Sequence, residues 1–113
     1  MRSDTVDLAV ERDSDGYLVD PDDWNEELAR QLASEWNLDL REEHLDVMRY
    51  MREWFDVHRI IPDVRDVAKY IMQQKGVTKK EAQRYLFTLF PHGYMQQGCQ
   101  LAGMRRPRSW SVG

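Results

Sequence analysis

The chain is 113 residues long, 42% apolar and 32% charged, a composition suited to one soluble domain with a single modest core. No apolar run approaches the ~20 residues that cross a bilayer, and no hydrophobic stretch follows Met1-Arg2-Ser3-Asp4, so neither a membrane span nor a secretory signal is expected, and the expected compartment is the cytoplasm. The net charge of −4 is unevenly spread: residues 1–40 hold 12 acids and 3 bases and residues 41–113 hold 8 acids and 13 bases, which either orients a basic half toward an anionic partner or simply keeps a small protein soluble.

Val6-Asp7-Leu8-Ala9-Val10-Glu11 alternates apolar and polar, as a half-buried strand does. Asp13-Ser14-Asp15-Gly16 is a turn signal, and Tyr17-Leu18-Val19 is predicted to return as the second strand of a hairpin packed on helices. Pro21-Asp22-Asp23 is predicted to start a helix with Asp22 or Asp23 as N-cap. Its apolar stripe is Leu28, Leu32 and Trp36, joined by Trp24 and Ala29, and Asn37 to Leu40 break it. A second helix is predicted from about Arg41 to His58, with Val47, Met48, Met51, Trp54 and Phe55 on one face.

Asp63 is placed to cap a third helix through about Gln74, buried through Val64, Val67, Ala68 and Ile71 and ended by Gly76. Thr78-Lys79-Lys80-Glu81 has the spacing of a capping box and opens a fourth helix to about Phe90, buried through Ala82, Tyr85, Leu86 and Leu89. Pro91 and Gly93 stop it, a short helix is expected over Met95 to Ala102, and the chain from Gly103 onward is expected to be mobile. The predicted fold class is therefore mainly α: a small helical bundle with a helix-turn-helix, an N-terminal β-hairpin and a flexible C-terminal arm.

Helix three, the Gly76 turn and helix four have helix-turn-helix proportions, and Lys79, Lys80, Gln83 and Arg84 are candidates for nucleic-acid contacts on the exposed side of the second helix. Solvated lysines on a bundle surface are the commoner reason for such a pattern, and the overall negative charge weakens DNA binding. His44, His58 and His92 lack metal-ligand spacing and are expected to be surface or capping residues, and the acidic pairs Asp22/Asp23 and Glu42/Glu43 sit at helix starts, where the dipole accounts for them. No metal, cofactor or independent catalytic site is expected.

Cys99 is the chemical exception. It is the only cysteine, so an intramolecular disulfide and a thiolate metal cluster are excluded from this chain alone, while an intermolecular disulfide between otherwise monomeric chains is open to it. No carboxylate side chain follows Glu81, and Arg105, Arg106 and Arg108 lie within nine residues of the thiol. Nearby positive charge lowers a thiol pKa, and the polar, glycine-containing run Gln96-Gln97-Gly98-Cys99-Gln100 predicts an accessible sulfur, against the usual burial of free cysteine.

Glu43-His44-x5-Tyr50-x-Arg52-Glu53, then Tyr85-Leu86-x2-Leu89-Phe90-Pro91-x-Gly93, then Cys99-x2-Ala102-Gly103-x3-Pro107 resemble the DsrC/TusE family. Gly16-Tyr17-Leu18 and Asp23-Trp24-x3-Leu28-Ala29 fit its N-terminal segment, so the similarity runs collinearly over residues 5 to 110. The resemblance implies a small sulfur-relay protein: a DsrC-like domain over 1–103 and an arm over 104–113 that reaches into a partner's active site. The implied partners are a sulfite reductase, which some members serve as gamma subunit, or the sulfur-relay proteins of tRNA thiolation. It also implies a working cysteine next to last, eleven residues after the upstream one.

Here Cys99 matches the upstream cysteine, eleven further on is Trp110, and next to last is Val112. Cys99 is thus the only candidate sulfur acceptor, at most a carrier or sulfurtransferase thiol. Arg105, Arg106, Pro107, Arg108 and Trp110 are the candidate partner-binding residues, since Trp and Arg most often dominate interface energy. The alternative is a non-carrier regulatory paralogue, with DNA binding through the helix-turn-helix as a further option.

Overall fold

A computed structural model provides the fold and describes residues 10–105. In chain order the α-helices are α1 Glu26–Glu35, α2 Glu42–His58, α3 Val64–Lys75, α4 Lys79–Leu89 and α5 Cys99–Leu101. A 3₁₀ turn, Pro21–Asp23, precedes α1, and a π-helical turn, Tyr94–Gly98, runs directly into α5.

Helices α2, α3 and α4 begin and end within a residue of where the sequence puts them, and for α3 and α4 the caps are chemically explicit. The Asp63 carboxylate accepts from the Asp66 N–H at 3.0 Å while the Asp66 carboxylate accepts from the Asp63 N–H at 3.1 Å. Thr78 and Glu81 make the same reciprocal pair at 3.2 and 2.9 Å, each such cap contributing about 1 kcal/mol. Gly76 closes α3 in the left-handed region at φ +64 and turns the chain so that α3 and α4 pack on each other.

The start of the first helix differs from expectation. Neither Asp22 nor Asp23 caps it: the Asp20 carboxylate accepts from the Asp22 N–H at 3.0 Å and caps only the 3₁₀ turn. Trp24 is then extended, and Asn25 caps α1 by accepting from the Leu28 N–H at 2.8 Å. The break lets the Trp24 indole leave the helix and reach the C-terminal segment at Leu101.

The expected hairpin is reduced, among the described residues, to one antiparallel bridge between Arg12 and Leu18. Asp13 organises the turn: its side chain accepts from the Asp15 and Tyr17 N–H groups at 2.9 and 3.0 Å. Most of the first predicted strand lies outside the described residues, so a hairpin is not established.

Leu28, Ala29, Leu32 and Ala33 of α1, Leu45, Val47, Met48 and Met51 of α2, Val67, Ala68 and Ile71 of α3, and Ala82, Leu86 and Leu89 of α4 form the core. Trp54 and Phe55 lie at its edge, half-buried, with Phe55 packed against it. Tyr17 and Leu18 from the N-terminal turn close one end, and Phe90, Tyr94, Cys99, Leu101, Ala102 and Met104 complete the interior. Of the stretch expected to be mobile from Gly103 onward, Gly103 and Met104 are buried and Arg105 is exposed, and residues 106–113 lie outside the described residues. No described helix is long and apolar enough to cross a membrane.

Candidate functional site

The C-terminal segment is positioned from the end of α4. Gly93, at φ +101, starts the π-helical turn, and Gln97 folds back so that its Oε1 accepts from the His92 N–H at 3.0 Å. The i→i−5 pattern is carried by the Gly98 N–H on the Gly93 carbonyl at 3.3 Å and by the Cys99 N–H on that of Tyr94. Such turns insert one residue into helical backbone and rotate the residues after them. Here they bring Cys99 inward.

Cys99 is fully buried. Burial pushes its thiol up to about 12, against which a side-chain hydrogen bond with Tyr94 works only partly. The Tyr94 hydroxyl donates to the Pro62 carbonyl at 2.5 Å, and burial and then the neighbouring sulfur raise the Tyr94 pKa well above its ordinary value. The expected accessible, arginine-activated thiol is therefore corrected: the flanking Gln97 and Gln100 are buried and make internal hydrogen bonds. Gly98 provides no approach to sulfur; a Cβ on it would lie 3.2 Å from the Tyr94 ring and 3.5 Å from Phe90. Its small size lets those rings close over the turn.

The end of this segment is held from outside by two side chains. Arg52, on α2, donates from Nη1 to the Ala102 carbonyl at 2.8 Å and from Nη2 to the Pro21 carbonyl at 2.7 Å. Its guanidinium lies 4.5 Å over the Trp24 ring, and the Trp24 Nε1–H donates to the Leu101 carbonyl at 2.7 Å. The two carbonyls belong to the last turn of α5, where helical backbone leaves acceptors without partners. On the N-terminal side, the Gln100 Nε2–H donates to the Asp15 carbonyl at 3.0 Å and the Tyr17 hydroxyl to the Met95 carbonyl at 3.0 Å.

The other sequence candidates are dispersed. Lys79, Lys80, Gln83 and Arg84 are all exposed on the outer side of α4, as is Phe87 at 64%, whereas Cys99 faces the core. Arg105 is exposed; Arg106, Pro107, Arg108 and Trp110 lie outside the described residues. No group of three or more His, Cys, Asp or Glu able to hold a metal occurs among the described residues. A groove of about 310 Å³ lined by Glu43, Asp46, Tyr70, Lys75 and Tyr85 includes no residue of the C-terminal segment.

Sequence reasoning missed Arg52, Trp24 and His44 as site-building residues. His44 is buried rather than at the surface, and it caps the start of α2: the Arg41 N–H donates to its Nδ1 at 3.0 Å, so Nε2 carries the proton and donates to the Leu89 carbonyl at 3.0 Å. Its ring meets Phe90 edge-on at 5.6 Å, fixing the point where the C-terminal segment leaves α4. Arg52 and Trp24 both stand in the motif runs that carry the family resemblance, but neither periodicity nor charge marks them.

Residues 5–110 match the model of a family described as "DsrC like protein". The chain is 37% identical over 98 residues to the "Sulfurtransferase TusE" of Photorhabdus laumondii, covering 87% of each chain. It is 34% identical to the "Sulfurtransferase TusE homolog" of Haemophilus influenzae, covering 88% of this chain and 91% of that one. Among solved structures it is similar to the oxidized gamma-subunit of the dissimilatory sulfite reductase (DsrC) from Archaeoglobus fulgidus, with a TM-score of 0.78 and 30% identity over 88% of this chain and 90% of that one. The NMR structure of Allochromatium vinosum DsrC aligns with a TM-score of 0.75 and 35% identity over 88% of each.

Proposed function

The chain belongs to the DsrC-like family of sulfur-relay proteins, and on that premise we propose that it is a sulfur-metabolism accessory protein that docks its C-terminal arm into a sulfite-reductase-like or sulfur-relay partner and is not a rapid sulfur carrier in its closed state. The observation behind this reading is Cys99, the one thiol of the sequence, buried and pushed up to about 12. Sulfur transfer runs through the thiolate, and at pH 7 such a thiol is ionised to the extent of only ~10⁻⁵. Trp110 stands where the family pattern implies the working cysteine, so the sequence offers no second sulfur for internal exchange. Arg105, Arg106, Pro107, Arg108 and Trp110 are then the contact residues of the arm, with Trp110 as its apolar anchor. Cys99 remains the only thiol able to accept sulfur as a sulfurtransferase would, and it does so only once the segment around it opens.

The experiment is intact mass of the reduced protein after incubation with a persulfide donor, beside Cys99→Ser, together with pull-down of a candidate partner by the full chain and by a chain ending at Gly103. The reading predicts no added sulfur on the free protein and loss of the partner on truncation. Rapid gain of one sulfur atom by wild type alone makes the protein a single-thiol carrier instead.

The exposed set Lys79, Lys80, Gln83 and Arg84 favours a second reading, DNA binding through α3 and α4. It predicts duplex binding that weakens steeply with salt, is lost with Lys79→Glu and Lys80→Glu, and is indifferent to the arm.

A further inference from the structure

We propose that Arg52 and Trp24 are the positioning residues of the arm, forming with Met104 a latch that fixes where the arm leaves the domain and holds Cys99 closed, so that one release frees the arm's root and exposes the thiol. Residues 99–104 behave as a unit because they are hydrogen-bonded to one another. The Met104 N–H donates to the Cys99 carbonyl at 2.9 Å and the Gly103 N–H to that of Gln100 at 3.2 Å. Met104 is fully buried and Arg105, the next residue, is exposed, so Met104 is the last buried residue among the described ones. Tension on the arm therefore falls first on the residue bonded to Cys99.

The body holds the outer side of this unit through the Trp24 indole on Leu101 and the Arg52 guanidinium on Ala102. The geometry of Arg52 is specific. Both of its hydrogen bonds go to backbone carbonyls, one on the segment before α1 and one at the end of α5, while its guanidinium sits over Trp24. A planar fork can bridge two carbonyls and stack at once; a lysine ammonium cannot. Gly103 fits the same construction: its backbone runs so near Trp24 that no side chain could be placed there. The three contacts share partners and are lost together when the indole moves, which makes the latch a local two-state element. Its use in the cell rests on the docking reading proposed for the arm; its existence does not.

Native-state labelling tests it in the full-length reduced protein. The rate of Cys99 alkylation by iodoacetamide is measured across urea concentrations below the unfolding transition, for wild type, Arg52→Lys, Trp24→Phe and the distant control Tyr70→Phe. The expected result is a wild-type rate with a urea slope well below that of global unfolding, because a local opening exposes little surface. Arg52→Lys and Trp24→Phe should each accelerate labelling roughly tenfold or more beyond their effect on the global transition, and Tyr70→Phe should not. Wild-type labelling with the full global slope overturns the latch, even if a variant fails to fold. So does acceleration that only tracks lost global stability. Pull-down with the truncated chain scores docking independently, so the latch can fall while docking stands, and the reverse.

Discussion

Gly103 passes so close beneath the Trp24 indole that a Cβ on it would lie 2.4 Å from Cδ1 and 2.6 Å from Cβ of Trp24. Its φ of +76 is also left-handed. Gly103→Ala therefore meets two obstacles, and we expect a loss of roughly 2–4 kcal/mol. Gly76, at φ +64 with nothing within 4 Å of a built Cβ, meets only the backbone obstacle, and Gly76→Ala should cost about 1 kcal/mol. Paired urea denaturation of the two variants separates the contributions; equal losses would remove the steric role of Trp24.

His44 makes stability depend on pH. Burial, the largest influence, holds its imidazole below the ordinary value of 6.5, so the folded state keeps it neutral where the unfolded chain takes up a proton. The contribution is complete above pH 6.5 and is lost as pH falls from there through the lower folded value. The urea midpoint should fall on acidification below 6.5, and His44→Ala should remove that part of the decline. The same variant leaves the Arg41 N–H and Leu89 carbonyl without their partner, at a cost of about 2–3 kcal/mol at neutral pH.

Tyr70 offers a spectroscopic check on the opposite titration. Its ring stacks on Tyr50 at 4.1 Å and its hydroxyl donates to both Asp46 oxygens, at 3.0 and 3.1 Å. Burial first, and then this carboxylate, push it up to about 12 from 10.0. The folded state retains a proton that the unfolded chain loses, so this stabilisation is present below pH 10 and disappears as pH rises through about 12. Alkaline titration of phenolate absorbance should lose one late-ionising group in Tyr70→Phe, with a stability cost of about 1 kcal/mol.

Phe87 is 64% exposed on α4 and stabilises little in the isolated chain. Phe87→Ser should shift the unfolding free energy by no more than about 0.5 kcal/mol while reducing retention on a hydrophobic column. A larger loss, measured in urea, would mean that the ring is covered in solution.

The helices could be read from the sequence wherever a local rule was complete. Asp63 with Asp66, Thr78 with Glu81 and the αL glycine at Gly76 use atoms within a few residues of one another, so α3 and α4 start and stop where chain chemistry places them. Pro21-Asp22-Asp23 looked equally complete but yielded only a 3₁₀ turn. Its continuation as a helix competes with delivery of Trp24 to Leu101, seventy-seven residues away. Cys99 was misread for the same reason. Gln97 and Gln100 appear solvent-facing in a string, yet each is buried with its side chain bonded to backbone, one to His92 and the other to Asp15.

The sequence by itself determined the mainly helical class, the boundaries of α2 to α4, the family, and the presence of a single thiol with Trp110 eleven residues beyond it. All of these rest on residue identities and short-range spacing. Only the tertiary structure decided that this thiol is closed, that Met104 is buried and that Arg52 and Trp24 bind the carbonyls of Ala102 and Leu101. Each of those rests on contacts between segments far apart in the chain, whose energies depend on burial and on carbonyl positions that no local pattern encodes.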